Sequence, residues 1–129
     1  MKLLLDTHIW VWTVLERERL SRRVAHQLSS PENELWLSPV STWEVLLLVA
    51  KGKIRMREDP AAWISQATAK MREAPLTHEI AVAAHQLAWT HRDPADRFLA
   101  ATAQVLGLTL VTADERLLAL KNIATMANR

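Results

Sequence analysis

The spacing of hydrophobic and polar positions switches repeatedly along this chain, and each switch marks a change of element. Leu3-Leu4-Leu5 is a short apolar run cut by Asp6, the pattern of a buried strand. Helical spacing follows from His8 to about Leu15. Ser21 reads as the cap of a second helix, to about Ser29, before the Pro31-Glu32-Asn33 turn. Leu35 to Leu37 make a second strand. After Pro39, Ser41-Thr42-Trp43-Glu44 matches the capping box, predicting a helix from there to about Lys51.

The second half repeats the alternation. Asp59 before Pro60 predicts an N-cap and a helix to about Glu73, and the alanine-rich stretch from His78 to Trp89 favours another. Asp93-Pro94-Ala95-Asp96 opens a helix to about Leu106, which Gly107 ends. Leu108 to Thr112 read as a β-branched strand, Asp114 starts a short helix to about Leu120, and Ile123 to Met126 form a last edge strand. Strands alternating with helices predict an α/β fold with a parallel sheet, because parallel strands need a crossover to return the chain to the same edge.

Composition narrows the class. Half of the 129 residues are hydrophobic and 23% are charged, which suits one folded domain spanning 1–129. Cysteine is absent, so thiolate zinc sites and cysteine nucleophiles are excluded and a reducing compartment is compatible. Asp6 cuts the first apolar run too early for a signal-peptide core, and no stretch is long enough to span a membrane. A soluble cytoplasmic protein is expected.

The candidate chemistry lies in acids at junctions. Asp6, Glu44, Asp96 and Asp114 each sit where a strand or loop turns into a helix. Each has a local explanation: Glu44 as partner of Ser41, Asp96 and Asp114 as favourable charges in a first helical turn, and Asp93 as the cap before Pro94. Asp6 is harder to dismiss, because Thr7 could equally cap the first helix. Together the four suggest a crevice at the carboxyl ends of parallel strands, where loops from distant parts of the chain converge. Carboxylates gathered there repel one another unless a hard divalent cation sits among them.

Other features carry less. Lys51 to Arg57 holds four cations in seven residues, suited to RNA phosphates or to a solvated helix end. The five histidines lack metal-ligand spacing such as H-E-x-x-H and are expected as surface or partly buried helix residues. Trp10, Trp12 and Trp43 fall near the expected cleft, with base stacking or core packing as their uses.

Four blocks, Leu3-Leu4-Leu5-Asp6-Thr7-His8-Ile9-Trp10, Ser41-Thr42-Trp43-Glu44-Val45, His91-Arg92-Asp93-Pro94-Ala95-Asp96-Arg97 and Leu110-Val111-Thr112-Ala113-Asp114, resemble in order the signature blocks of the PIN-domain family. More narrowly, the chain is similar to VapC-type ribonuclease toxins. The resemblance implies a Rossmann-like three-layer α/β/α PIN domain with a central, mainly parallel sheet. It implies an Mg²⁺- or Mn²⁺-dependent endoribonuclease cutting single-stranded or structured RNA, with products bearing a 5′-phosphate and a 3′-hydroxyl. By position it assigns Asp6, Glu44, Asp96 and Asp114 as catalytic and metal-binding residues; the mechanism expected from them has Asp6 and Asp96 as direct ligands, with Glu44 and Asp114 holding a ligated water or a second ion. Asp93, Thr7 and Thr112 support them, and Lys51, Lys53, Arg55 and Arg97 are candidate RNA contacts. A VapB-type antitoxin and a homodimer are the implied partners.

Two rivals share parts of this pattern. One is a non-catalytic PIN-like module that grips RNA or protein. The other is a haloacid-dehalogenase-type phosphatase, whose mechanism needs an acid two residues after Asp6, where this chain has His8.

Overall fold

The computed structural model describes residues 1–129, and its first strand explains the apolar run at the N-terminus. Strand β1 (Lys2–Leu5) lies in the middle of a five-stranded sheet, with Leu3, Leu4 and Leu5 each fully buried. Both faces of β1 are covered, so a continuous apolar run suits it better than alternation. Helix α1 (Thr7–Leu15) follows at once, then a 3₁₀ turn (Arg17–Arg19) and α2 (Arg22–Ser29), capped by Ser21 as expected. Strand β2 (Glu34–Leu37) leads into α3 (Pro39–Ala50) and α4 (Pro60–Ala67). Strand β3 (Arg72–Glu73), α5 (His78–Gln86), α6 (Pro94–Leu106), β4 (Thr109–Thr112), α7 (Glu115–Leu118) and β5 (Ala124–Ala127) complete the chain.

The strand order is β3-β2-β1-β4-β5 and every pairing is parallel. Leu3 pairs with Leu35 on one side, and Leu5 with Val111 on the other. The chain leaves β1 toward one edge through β2 and β3, then returns to β1's other side at β4. That reversal is a topological switch point, where loops at the carboxyl ends of the strands diverge and leave a crevice.

Alternation along β1 divides the core into two layers. Leu3 and Leu5 pack with Ile9, Trp10, Val24, Val45 and Trp63 from α1 to α4. Leu4 faces the other way, against Leu99, Ala100 and Ala103 of α6 and Leu117 of α7. Helix α5 packs on α6 through Ile80, Ala84 and Ala101. The result is the expected α/β/α arrangement, and no helix is long and apolar enough to cross a membrane.

The structure corrects three expected boundaries, the first being α5, which stops at Gln86 instead of running on to Trp89. Helix α3 begins at Pro39 rather than Ser41, with Ser38 as the cap whose hydroxyl accepts from the Val40 N–H at 3.0 Å. Proline at the first helical position has no N–H to satisfy, which favours this earlier start. Helix α4 ends at Ala67 instead of continuing to Glu73. The Thr68 hydroxyl folds back onto the Ile64 carbonyl, the chain turns, and Arg72–Glu73 aligns beside β2, with Ala74 N–H donating to Leu37 O. Two residues are too few for periodicity to reveal a strand.

Candidate active site

At the switch point the ends of β1, α3, α6 and β4 surround an open cleft of about 470 Å³. Asp6, Glu44, Asp93, Asp96 and Asp114 all line it, so acids scattered along the sequence share one cavity. The expected supporting residue Thr7 lines it as well.

Asp6 is the N-cap of α1, the role that Thr7 might have filled. Its Oδ1 accepts from the Thr7 N–H at 2.8 Å, and its Oδ2 accepts from Thr112 Oγ1 at 2.6 Å. Thr112 Oγ1 in turn accepts from the Asp114 N–H at 3.0 Å. One buried hydroxyl therefore links the acid after β1 to the acid after β4. Both Asp6 oxygens are fixed, leaving their remaining lone pairs to face the cleft.

Glu44 is no capping residue. With the helix starting at Pro39, it lies more than one turn in, and its Oε1 accepts from Thr7 Oγ1. Thr7 Oγ1 also lies 2.9 Å from Ser41 Oγ. A hydroxyl has one proton to give, so Thr7 donates to the carboxylate, the stronger acceptor, while Ser41 donates to Thr7. Ser41, expected to cap the helix, instead supports the orientation of Glu44.

Asp93 caps α6 through the Ala95 N–H at 3.0 Å, and Asp96 sits buried in the first turn of that helix. His91 Nε2 lies 2.7 Å from Asp96 Oδ2. The position of His91 depends on Arg97, which the sequence suggested as an RNA contact. The Arg97 guanidinium donates to backbone carbonyls of Ala84, His85, Leu87, Trp89 and His91 at 2.8–3.4 Å. It pins the segment after α5 and is occupied by the protein's own backbone. The histidines gave no spacing signal, so sequence reasoning missed His91; its place beside Asp93-Pro94-Ala95-Asp96 was the available clue.

Arg116 was missed too. Asp114 caps α7 through the Arg116 N–H at 2.8 Å, and the Arg116 side chain returns to the same carboxylate, Nη2 to Oδ2 at 3.0 Å and Nε to Oδ1 at 3.3 Å. Its Nη2 lies 4.0 Å from Asp96 Oδ2.

Lys51, Lys53 and Arg55 are exposed at and beyond the end of α3 and do not line the cleft. Lys51 is seven residues past Glu44, roughly 10 Å along a helix axis. Of the three tryptophans, Trp12 lines the cleft and Trp43 is exposed in an adjoining apolar groove with Leu47, Leu76 and Phe98. Trp10 is fully buried against Trp63, so it packs the core and cannot stack on a base.

The electrostatics divide the acids. Burial pushes the Asp6, Glu44 and Asp96 carboxyls above their ordinary values, and neighbouring carboxylates push further: Asp96 on Asp6, Asp6 on Glu44, Asp93 on Asp96. Asp114 moves the other way, held down first by its hydrogen bonds to Arg116. His91, Asp93 and Asp96 offer ligand atoms all within 4.8 Å of one another. Carboxylate oxygens suit a hard divalent cation, which would relieve the repulsion that adds to burial in raising three of the acids. The donor set fits such an ion.

A model of the family described as PIN domain matches residues 3–123. Ribonuclease VapC22 of Mycobacterium tuberculosis is 34% identical over 115 residues, covering 88% of each chain. Among solved structures, VapBC2 from Rickettsia felis, bound to a DNA fragment from their promoter, superposes with a TM-score of 0.78 at 16% identity over 98% of both chains. DNA-bound VapBC from Salmonella typhimurium gives 0.73 at 20% identity, again over 98% of both.

Proposed function

The chain belongs to the PIN-domain family, and on that premise we propose that it is a divalent-metal-dependent endoribonuclease of the VapC type, acting in the cytoplasm as the toxin of a toxin–antitoxin pair. The observation that supports the chemistry is the shared cleft, which Asp6, Glu44, Asp96 and Asp114 all line and in which burial and neighbouring carboxylates push three of the four upward. Similarity to a relative named as a ribonuclease supports the reaction class.

In this reading Asp6 and Asp96 hold the ion directly, Glu44 and Asp114 hold water or a second ion, and Asp93 and His91 border the site. Mg²⁺ or Mn²⁺ bound there supplies Lewis acidity toward the phosphate and lowers the pKa of water toward neutrality. The chain's own residues contribute preorganisation. Thr112 and the Thr7 N–H fix the Asp6 carboxylate, Thr7 and Ser41 fix Glu44, and Arg97 fixes the segment carrying His91. Groups held this way do not reorganise as charge develops on the phosphate. The substrate is RNA, single-stranded where it is cut, leaving a 5′-phosphate and a 3′-hydroxyl.

The partner in this reading is a VapB-type antitoxin whose peptide enters the acidic cleft, since the structural relatives are VapBC complexes. The family resemblance adds a homodimer, which light scattering showing a monomer at every usable concentration would remove.

The test is cleavage of a structured RNA pool by wild type and Asp6→Asn with Mg²⁺, Mn²⁺ or excess EDTA, mapping product ends. Metal-dependent cutting that the variant loses is the expected result. Cutting that persists in chelator would end the metal mechanism, and persistent RNA binding without cleavage under any ion would favour a binding module.

A further inference from the structure

We propose that Arg116 is a catalytic residue that grips the scissile phosphate, an inference that rests on the nuclease reading. Six carboxylate side chains line the cleft, those of Asp6, Glu44, Asp93, Asp96, Asp114 and Glu115, and Arg116 is the only guanidinium or ammonium among its lining residues. Bringing a phosphodiester into such a cavity adds negative charge to negative charge. One divalent ion offsets two of those charges, and a guanidinium facing the phosphate would further favour binding and offset the charge that builds during displacement.

Arg116 has the reach and the freedom for this task. Its side chain is 61% exposed, and it spans the cleft from Asp114 toward Asp96, with Nη1 3.4 Å from His91 Nδ1. The fold has little need of it there. The capping of α7 by Asp114 is already met by the Arg116 backbone N–H, and an exposed ion pair two residues apart adds little stability. A guanidinium also presents paired donors that match two phosphate oxygens, which lysine cannot do. An ion held by Asp96 and Asp114 would weaken the attraction of these carboxylates for Arg116. The side chain is then free to turn from carboxylate to phosphate without moving the backbone.

The experiment compares wild type, Arg116→Ala and Arg116→Lys in three measurements: Mn²⁺ binding by electron paramagnetic resonance, binding of a labelled single-stranded oligoribonucleotide in Ca²⁺ by anisotropy, and single-turnover cleavage in Mn²⁺ with and without added guanidinium ion. For Arg116→Ala, Mn²⁺ affinity stays equal or tightens, oligonucleotide binding weakens several-fold, and cleavage falls by about 100-fold. Guanidinium restores part of that loss, and Arg116→Lys lies between. Cleavage at the wild-type rate would overturn the assignment. So would a loss matched by an equal loss of Mn²⁺ affinity, because Arg116 would then only position Asp114. If wild type cuts no RNA, the nuclease reading fails by itself and the anisotropy measurement decides on Arg116: weaker binding in Arg116→Ala supports the phosphate contact, and equal binding ends it.

Discussion

Thr112 Oγ1 donates to Asp6 Oδ2 at 2.6 Å although 106 residues separate them. Thr112 ends β4 and Asp6 directly follows the neighbouring parallel strand β1, so this bond ties the two sides of the switch point together. Both residues are buried, which makes the bond hard for water to replace.

Thr112→Val keeps the side chain's shape but removes its hydroxyl, leaving Asp6 Oδ2 without its donor and the Asp114 N–H without its acceptor. Denaturant titration should show a loss of about 2 kcal/mol. Cleavage should fall more than tenfold, since a carboxylate that is no longer held loses its preorganisation. Equal stability and equal rate would mean that the hydroxyl is idle.

Asp6→Asn separates activity from folding. Its amide oxygen still caps α1, and its NH₂ can donate to Thr112 Oγ1, so the local bonds survive while one cleft charge disappears. Metal-free Asp6→Asn should therefore melt at or above the wild-type temperature at pH 7, yet lose metal-dependent cleavage. A clear drop in melting temperature would make Asp6 a structural residue.

The pH dependence has a definite sign. Asp6, Glu44 and Asp96 have folded-state pKa values above their ordinary values of 3.8, 4.5 and 3.8, so the folded, metal-free protein holds protons that the unfolded chain releases. Stability from these three is full below those ordinary values and is lost as pH rises through the higher folded values. Asp114 acts in a separate window, below 3.8, because its pKa is lowered. Differential scanning calorimetry of metal-free protein should show these three acids favouring the folded state less at pH 7.5 than at pH 5. Saturating Mg²⁺ should raise the melting temperature more at pH 7.5. A shift of equal size at both pH values would argue against ion binding by these acids.

Arg97→Lys tests the carbonyl staple. Lysine keeps the charge but cannot spread donors over five carbonyls from Ala84 to His91. A loss of about 2 kcal/mol is expected, with faster amide exchange confined to residues 87–92. Unchanged exchange there would show that the segment is held by other contacts.

Much of the fold is legible because its signals are local. The run Leu3-Leu4-Leu5, the Asp93-Pro94 cap and the stop at Gly107, whose φ of 65° favours glycine, each specify an element with few neighbours involved. Strand β3 is invisible in advance, since Arg72 and Glu73 become a strand only by lying beside β2. The same division runs through the site. Asp6, Asp96 and Asp114 stand out because each caps a helix or lies in its first turn, whereas Ser41 and Glu44 imitate a cap that Ser38 provides. The surroundings of His91, Arg97 and Arg116 are tertiary: a carboxylate five residues on, a fan of carbonyls, and a cavity wall. No spacing rule encodes them.

The pairing of β1 with β4 also sets a timetable. Asp6 leaves the ribosome 106 residues ahead of Thr112, which ends the strand that leads to Asp114. Until translation has passed Asp114, the growing chain carries only part of the acidic cluster and lacks the hydroxyl that orients Asp6. The cleft of a growing chain is therefore incomplete until β1 and β4 have both been made and have paired.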